Sequence, residues 1–177
     1  MIIFQDILLV FFLIMLFFLI VQFYNIAFRG FAPFIPTRGK VIKKILDELK
    51  IAGEATVYEL GCGQAGFLRA TRKKYPQANL IGVEYSFLPY LIGQIQNSLV
   101  GSKIKFIKSN FLKVDLKAAD AIYCFLSIQS MADLAKKFQA ECKPGTQVVS
   151  YCFTLPGYQA EKVLEMENKN KVYFYKI

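Results

Sequence analysis

The 177-residue chain contains no histidine and no tryptophan, and its four cysteines, Cys62, Cys124, Cys142 and Cys152, are scattered without a CxxC pair. The missing histidine excludes a Ser/His/Asp triad and any histidine general base, and with them much hydrolase chemistry. It also leaves no zinc site by Cys/His spacing, so no metal is expected. Charge is scarce: 20% of residues are charged against 55% hydrophobic. That balance excludes a disordered charged tail and implies a packed core. The scarcity is concentrated at one end. Ile7 to Phe28 holds no charged residue, and Ile7 to Val21 no polar one.

What those stretches contain is apolar bulk. The uncharged residues from 7 to 28 would extend roughly 33 Å as a helix, against a hydrocarbon core of about 30 Å. A core helix of a soluble protein would show a polar stripe, and none interrupts this run. A cleaved signal peptide would begin with Lys or Arg and end at small residues, whereas Asp6 precedes the run and no such site follows. Residues 1–28 therefore read as a single transmembrane helix. All 22 basic residues lie after it, against 12 acidic ones, a net +10 on that side. Arg29, Arg38, Lys40, Lys43 and Lys44 follow the helix closely, so the positive-inside rule places the rest in the cytoplasm, with a bacterial inner membrane expected. The same cluster should attract anionic lipid head groups. The cysteines should be reduced. No basic run with interleaved aromatics calls for nucleic acid.

Pro33 and Pro36 end helix continuation, and Thr37 is placed to cap a helix running to about Lys50, with Val41, Ile42, Ile45, Leu46 and Leu49 on one face and lysines on the other. Residues 29–54 thus read as a linker with a basic amphipathic helix beside a membrane. From residue 55 to 177 short apolar runs alternate with amphipathic stretches. Strands are expected near Thr56–Leu60, Asn79–Glu84, Lys103–Ile107, Ala119–Phe125 and Thr146–Tyr151. Helices are expected near Gln64–Lys74, Phe87–Val100 and Ser130–Cys142. This alternation implies βαβ units and a mostly parallel sheet. Lys162–Glu167 and Lys171–Lys176 flank Asn168-Lys-Asn170 as a closing antiparallel hairpin.

The chemistry concentrates in Tyr58-Glu-Leu-Gly61-Cys-Gly63-Gln-Ala-Gly66, a glycine-rich turn between an expected strand and an expected helix. Gly61 and Gly63 let the backbone approach a ligand closely. Glu84 ends the second strand, where a carboxylate accepts ribose hydroxyls. Asn110 follows the third, where a side-chain carbonyl can accept from an adenine amino group. Glu59 separates two cofactor classes. A carboxylate there would repel a pyrophosphate, whereas S-adenosylmethionine carries a sulfonium and an ammonium. A methyltransferase is therefore favoured over an NAD-dependent oxidoreductase, and the closing hairpin agrees.

On these residues the chain resembles the small membrane-anchored lysine methyltransferases whose mitochondrial members modify the c subunit of ATP synthase and the adenine nucleotide translocase. The likeness rests on Pro33-Phe-Ile-Pro-Thr37, Tyr58-Glu-Leu-Gly-Cys-Gly63, Gly82-Val-Glu-Tyr-Ser86, Asn110-Phe-Leu-Lys-Val-Asp-Leu116 and Phe153-Thr-Leu-Pro-Gly-Tyr158. It implies a class I, Rossmann-like α/β fold with a seven-strand sheet. It implies S-adenosylmethionine across Glu59, Gly61, Gly63, Glu84 and Asn110, with Cys62, Gly66, Tyr85 and Phe111 beside them. It implies a lysine ε-amine on a protein of the same membrane as acceptor. The chain departs from the family at Arg38, where a second proline is usual, at Gln64-Ala65 in place of Asp-Gly, and at Asn110 in place of aspartate.

A lysine must lose its proton before it attacks, and an apolar, aromatic pocket favours the neutral amine. Phe34, Tyr123, Phe125 and Tyr151 are candidates for such a lining, Thr37 for its edge, and Ser127 and Gln129 for orienting the amine. Core packing and loop hydrogen bonds are competing roles for each. A methyltransferase of a small molecule or lipid, and a cofactor-binding scaffold without catalysis, remain alternatives.

Overall fold

The computed structural model describes residues 2–29, 35–167 and 169–177, and within the first stretch the side chains of 4–21, 23 and 24. Residues divide into two compact units, 1–33 and 34–177. The first is the helix α1 (Ile2–Arg29). Its window Phe4–Val21 has a mean hydropathy of 2.8 and none of it is buried, so in length and composition it is able to cross a bilayer.

The second unit is built on α2 (Gly39–Glu48), β1 (Thr56–Leu60), α3 (Gly66–Lys74), β2 (Asn79–Glu84), α4 (Phe87–Val100), β3 (Lys105–Lys108), β4 (Ala121–Cys124), α5 (Ile128–Glu141), β5 (Gln147–Tyr151), β6 (Lys162–Glu165) and β7 (Lys171–Lys176). The strands form one sheet in the order β3-β2-β1-β4-β5-β7-β6. The first five run parallel, with Leu60 opposite both Val83 and Cys124, and β7 joins β5 antiparallel. This is the Rossmann-like class I methyltransferase fold with its closing hairpin.

Central strands read as nearly unbroken apolar runs because both their faces are covered. On one face Val57, Leu80, Tyr123 and Val149 pack under α2 and α3. On the other Tyr58, Leu60, Ile122 and Val148 meet Met131, Leu134 and Phe138 of α5. Local chemistry sets the helix ends. Ser127 caps α5 by accepting from the Ser130 amide at 3.3 Å. Gly101, at φ +59°, ends α4 in the left-handed conformation glycine adopts without penalty.

Two expectations change. The apolar face of α2 does not lie against a membrane: Val41, Ile42, Ile45 and Leu46 are buried in the core of the second unit, and its lysines face water with Asp47. The helix belongs to the second unit, because that face covers β-sheet that would otherwise be wet. Thr37 does not cap it either. Arg38 holds the cap position without a side-chain bond, and the Thr37 hydroxyl is engaged elsewhere, as described next.

Candidate functional site

The strand order reverses between β1 and β4, and the crevice at the carboxyl ends of an open α/β sheet is formed at such a point. Gly61, Glu84, Asn110 and Ser127 all lie at or just beyond these ends. Two depressions of about 340 and 360 Å³ lie at the opposite end, beside Ala55 and Asp120 and beside Asn79 and Lys105. That is the amino end of the sheet, away from the clustered carboxylates.

The loop after β1 is held from below. The Gly61 and Cys62 amides both donate to the Val83 carbonyl, at 2.9 and 3.0 Å. Gly61 and Gly63 have φ of +69° and +50°, and a Cβ on Gly61 would come within 2.6 Å of Leu126 Cδ2. Position 61 therefore requires glycine, and Gly63 sits in the left-handed conformation that glycine adopts without penalty. Ala65 also adopts a positive φ, +56°, just before α3 begins at Gly66. Gln64-Ala65 thus reaches the left-handed turn without a glycine.

Glu84 ties the loop to β2. One carboxylate oxygen accepts from the Gly63 amide at 2.8 Å and the other from the Ser86 amide at 2.7 Å. Each keeps a lone pair for a further donor. Glu59 is only 7% exposed and accepts from the Leu68 amide at 3.2 Å. Burial pushes its carboxyl up to about 8, against smaller opposing effects of the Leu68 and Phe67 amides and of Arg69. The Arg69 guanidinium itself donates to the Gln64 carbonyl. A buried carboxyl that accepts from backbone amides is set to ionise when a cation arrives. An incoming cation draws off the carboxyl's proton and gains from the ionised Glu59 and from Glu84 beside it, whereas a phosphate gains from neither, so the donor set suits S-adenosylmethionine and not a dinucleotide.

The remaining expected residues fall as follows. Asn110 caps a short 3-10 turn at Phe111–Lys113, its Oδ1 accepting from the Leu112 amide at 2.9 Å. Cys62 is buried beneath the loop, and burial raises its thiol far above the usual range, so it is no nucleophile. Tyr85 is exposed at the rim. The Tyr123 hydroxyl and Thr37 Oγ1 share a hydrogen bond of 2.7 Å. Burial raises that phenol well above its ordinary range, and its ring stacks on Phe67 at 4.3 Å. Phe125 and Tyr151 are tilted neighbours at 4.7 Å. The Ser127 hydroxyl serves the start of α5 and pairs with the Ser130 hydroxyl at 3.0 Å. Gln129 is exposed in the same turn. Phe34 lies outside the described residues.

Gly93 escaped the sequence reading, and Gly82 entered it only as part of the family likeness. A Cβ on Gly93 of α4 would lie 2.7 Å from Phe106 and 2.8 Å from the Gly63 carbonyl, so α4 rests directly on the cofactor loop. A Cβ on Gly82 would lie 2.8 Å from Cys62 Sγ. A lone glycine inside a helical pattern was the available signal for Gly93.

The sequence profile of the ANTKMT methyltransferase domain matches residues 59–162. The chain belongs to this family. As a member of it, the chain is also 31% identical over 150 residues to the protein-lysine N-methyltransferase of Saccharolobus islandicus, a match spanning 82% of this chain and 93% of that one. An RNA methyltransferase from Salinibacter ruber, solved with S-adenosyl-L-homocysteine, superposes with a TM-score of 0.76 at 19% identity, covering 81% and 94% of the two chains. A SAM-dependent methyltransferase from Aquifex aeolicus superposes at 0.65 with 14% identity, covering 77% and 89%. These two show the shared fold. This ANTKMT-family chain is a methyltransferase that uses S-adenosylmethionine.

Proposed function

We propose that this methyltransferase is held in a membrane by α1, with its catalytic domain in the cytoplasm, and methylates a lysine of a protein in the same membrane. The observation that carries the acceptor class is the 31% identity, over most of both chains, to a protein-lysine N-methyltransferase. The exposed apolar helix Phe4–Val21 supports the anchor, as does the likeness to membrane-anchored lysine methyltransferases. Confining enzyme and substrate to one surface raises their effective concentration.

Bound S-adenosylmethionine would supply an electrophilic methyl group on a cationic sulfur. Glu84 would hold the ribose hydroxyls, and Glu59 the cationic amino-acid end. Gly61 and Gly63 would offer their backbone, and Asn110 its remaining lone pair to the adenine. Cys62, Gly66, Tyr85 and Phe111 would flank these. Toward the acceptor, half-buried Phe125, backed by buried Tyr151, would offer apolar surface that disfavours an ammonium and so favours the attacking amine. Tyr123 keeps its proton through the neutral range and is a positioned hydroxyl, not a base. Methyl transfer needs chiefly alignment, which the residues around this crevice would provide.

The test uses S-adenosylmethionine labelled on its methyl group. The detergent-solubilised protein and a Glu59→Gln variant are incubated with membranes from cells lacking the gene. The expected result is a labelled protein band with the wild type only, yielding methyl-lysine on hydrolysis. Label in lipid or small molecules alone, or cofactor binding without any product, would overturn the acceptor assignment.

A further inference from the structure

Helix α4 carries its side chains the wrong way round for an ordinary surface helix. Only Gly93 is buried, while Phe87, Leu88, Leu91, Ile95 and Leu99 are exposed, Phe87 at 62%, Ile95 at 52% and Leu99 at 80%. At about 100° per residue these five span an arc of roughly 120° centred near Ile95, and Gly93 lies on the opposite side against Phe106 and the Gly63 carbonyl. A contiguous apolar stripe of this kind marks a surface that is covered in use.

The charges around it say by what. Residues 85–114 contain no acidic side chain and four lysines, Lys103, Lys105, Lys108 and Lys113. Two of them lie on β3, the edge strand beside α4, and the Lys108 ammonium stands 5.9 Å from the Phe87 ring centre. An apolar face bordered by cations of one sign suits a lipid surface with anionic head groups, where the side chains enter the acyl boundary and the lysines stay among the phosphates. A second copy of this chain would bring the same lysines against each other.

We propose that the apolar face of α4 seats the methyltransferase domain on an anionic bilayer as a second membrane contact. Phe87 follows directly on Ser86, whose amide is bound by Glu84. The contact therefore sets the rim of the cofactor crevice at the membrane surface, where a lysine just outside the hydrocarbon would be presented. The inference goes beyond the anchor proposed above and can fail while that anchor stands.

The chain has no tryptophan, so a single one reports its own surroundings. The full-length protein carrying Ile95→Trp is placed in nanodiscs of phosphatidylcholine and phosphatidylglycerol, with or without bromine on the acyl chains. Gln139→Trp, on the exposed face of α5, is the control. Bound S-adenosylmethionine verifies that each variant is folded. An interfacial helix seats its apolar face about 5–10 Å deep, so the indole at 95 should emit to the blue and lose roughly half its emission to brominated lipid, and the control should not. Discs lacking phosphatidylglycerol should weaken that quenching. A water-exposed, unquenched indole at 95 would overturn the proposal. A blue-shifted indole that brominated lipid does not quench would also overturn it, showing the face covered by protein. Quenching indifferent to phosphatidylglycerol would overturn the role given to the lysines.

Discussion

Replacing Glu59 by Gln is expected to make the cofactor-free protein more stable and to remove its cofactor binding. The carboxyl is buried and its proton is held to about pH 8, against an ordinary value of 4.5. A folded-state value raised for an acid means that the folded form binds the proton more tightly. The neutral carboxyl's stability is fully present below pH 4.5 and is lost progressively as pH rises to 8. At 1.36 kcal/mol per unit, the loss totals about 5 kcal/mol above pH 8 and has reached about 3 kcal/mol at pH 7. Glutamine keeps an oxygen to accept from the Leu68 amide and does not titrate. Thermal unfolding of both proteins without cofactor, followed by circular dichroism in detergent, should show little difference at pH 4.5. At pH 7 the variant should melt higher by about 10 °C. Saturating S-adenosylmethionine should reverse the order, because only the carboxylate gains from the incoming cation. A gap that stays constant from pH 4.5 to 8, or wild-type cofactor affinity in the variant, would refute the reasoning.

Gly93→Ala should destabilise the domain by about 1–3 kcal/mol by overpacking, and should weaken cofactor binding in titration calorimetry, since its Cβ meets the Gly63 carbonyl at 2.8 Å. Tyr123→Phe removes the bond to Thr37, costing about 1 kcal/mol, and hydrogen exchange should accelerate at residues 35–38 while the sheet stays protected. Asn110→Asp retains the cap on the Leu112 amide and adds a charge for the adenine amino group. It should tighten the cofactor Kd roughly fivefold, about 1 kcal/mol, with melting unchanged.

The alternation of strands and helices was legible because periodicity records which faces are covered. β1, β2, α4 and β7 occupy the residues expected of them, and the other elements differ by a few residues at their ends. The glycine turn with Glu59 and Glu84 was legible because an acid among apolar residues and paired glycines have few other uses. The partners of single hydroxyls were not. Thr37 stands where a helix cap is expected, but its hydroxyl meets Tyr123, 86 residues along the chain, and no local pattern encodes a contact of that separation. Ser127 likewise reads as a residue for orienting an amine, and the fold engages it at the start of α5.

Sequence alone determined the apolar N-terminal helix, the Rossmann-like order of elements and the identity of the two carboxylates, since each follows from composition and spacing within a short window. Tertiary structure decided which way each apolar face points. Amphipathic α2, which reads as a membrane-side helix, turns its face inward because bare sheet lies beneath it. Apolar α4 turns its face outward because Gly93 must sit against Phe106 and the Gly63 carbonyl. A helix has one rotation about its axis, and the tightest contact beneath it chooses that rotation.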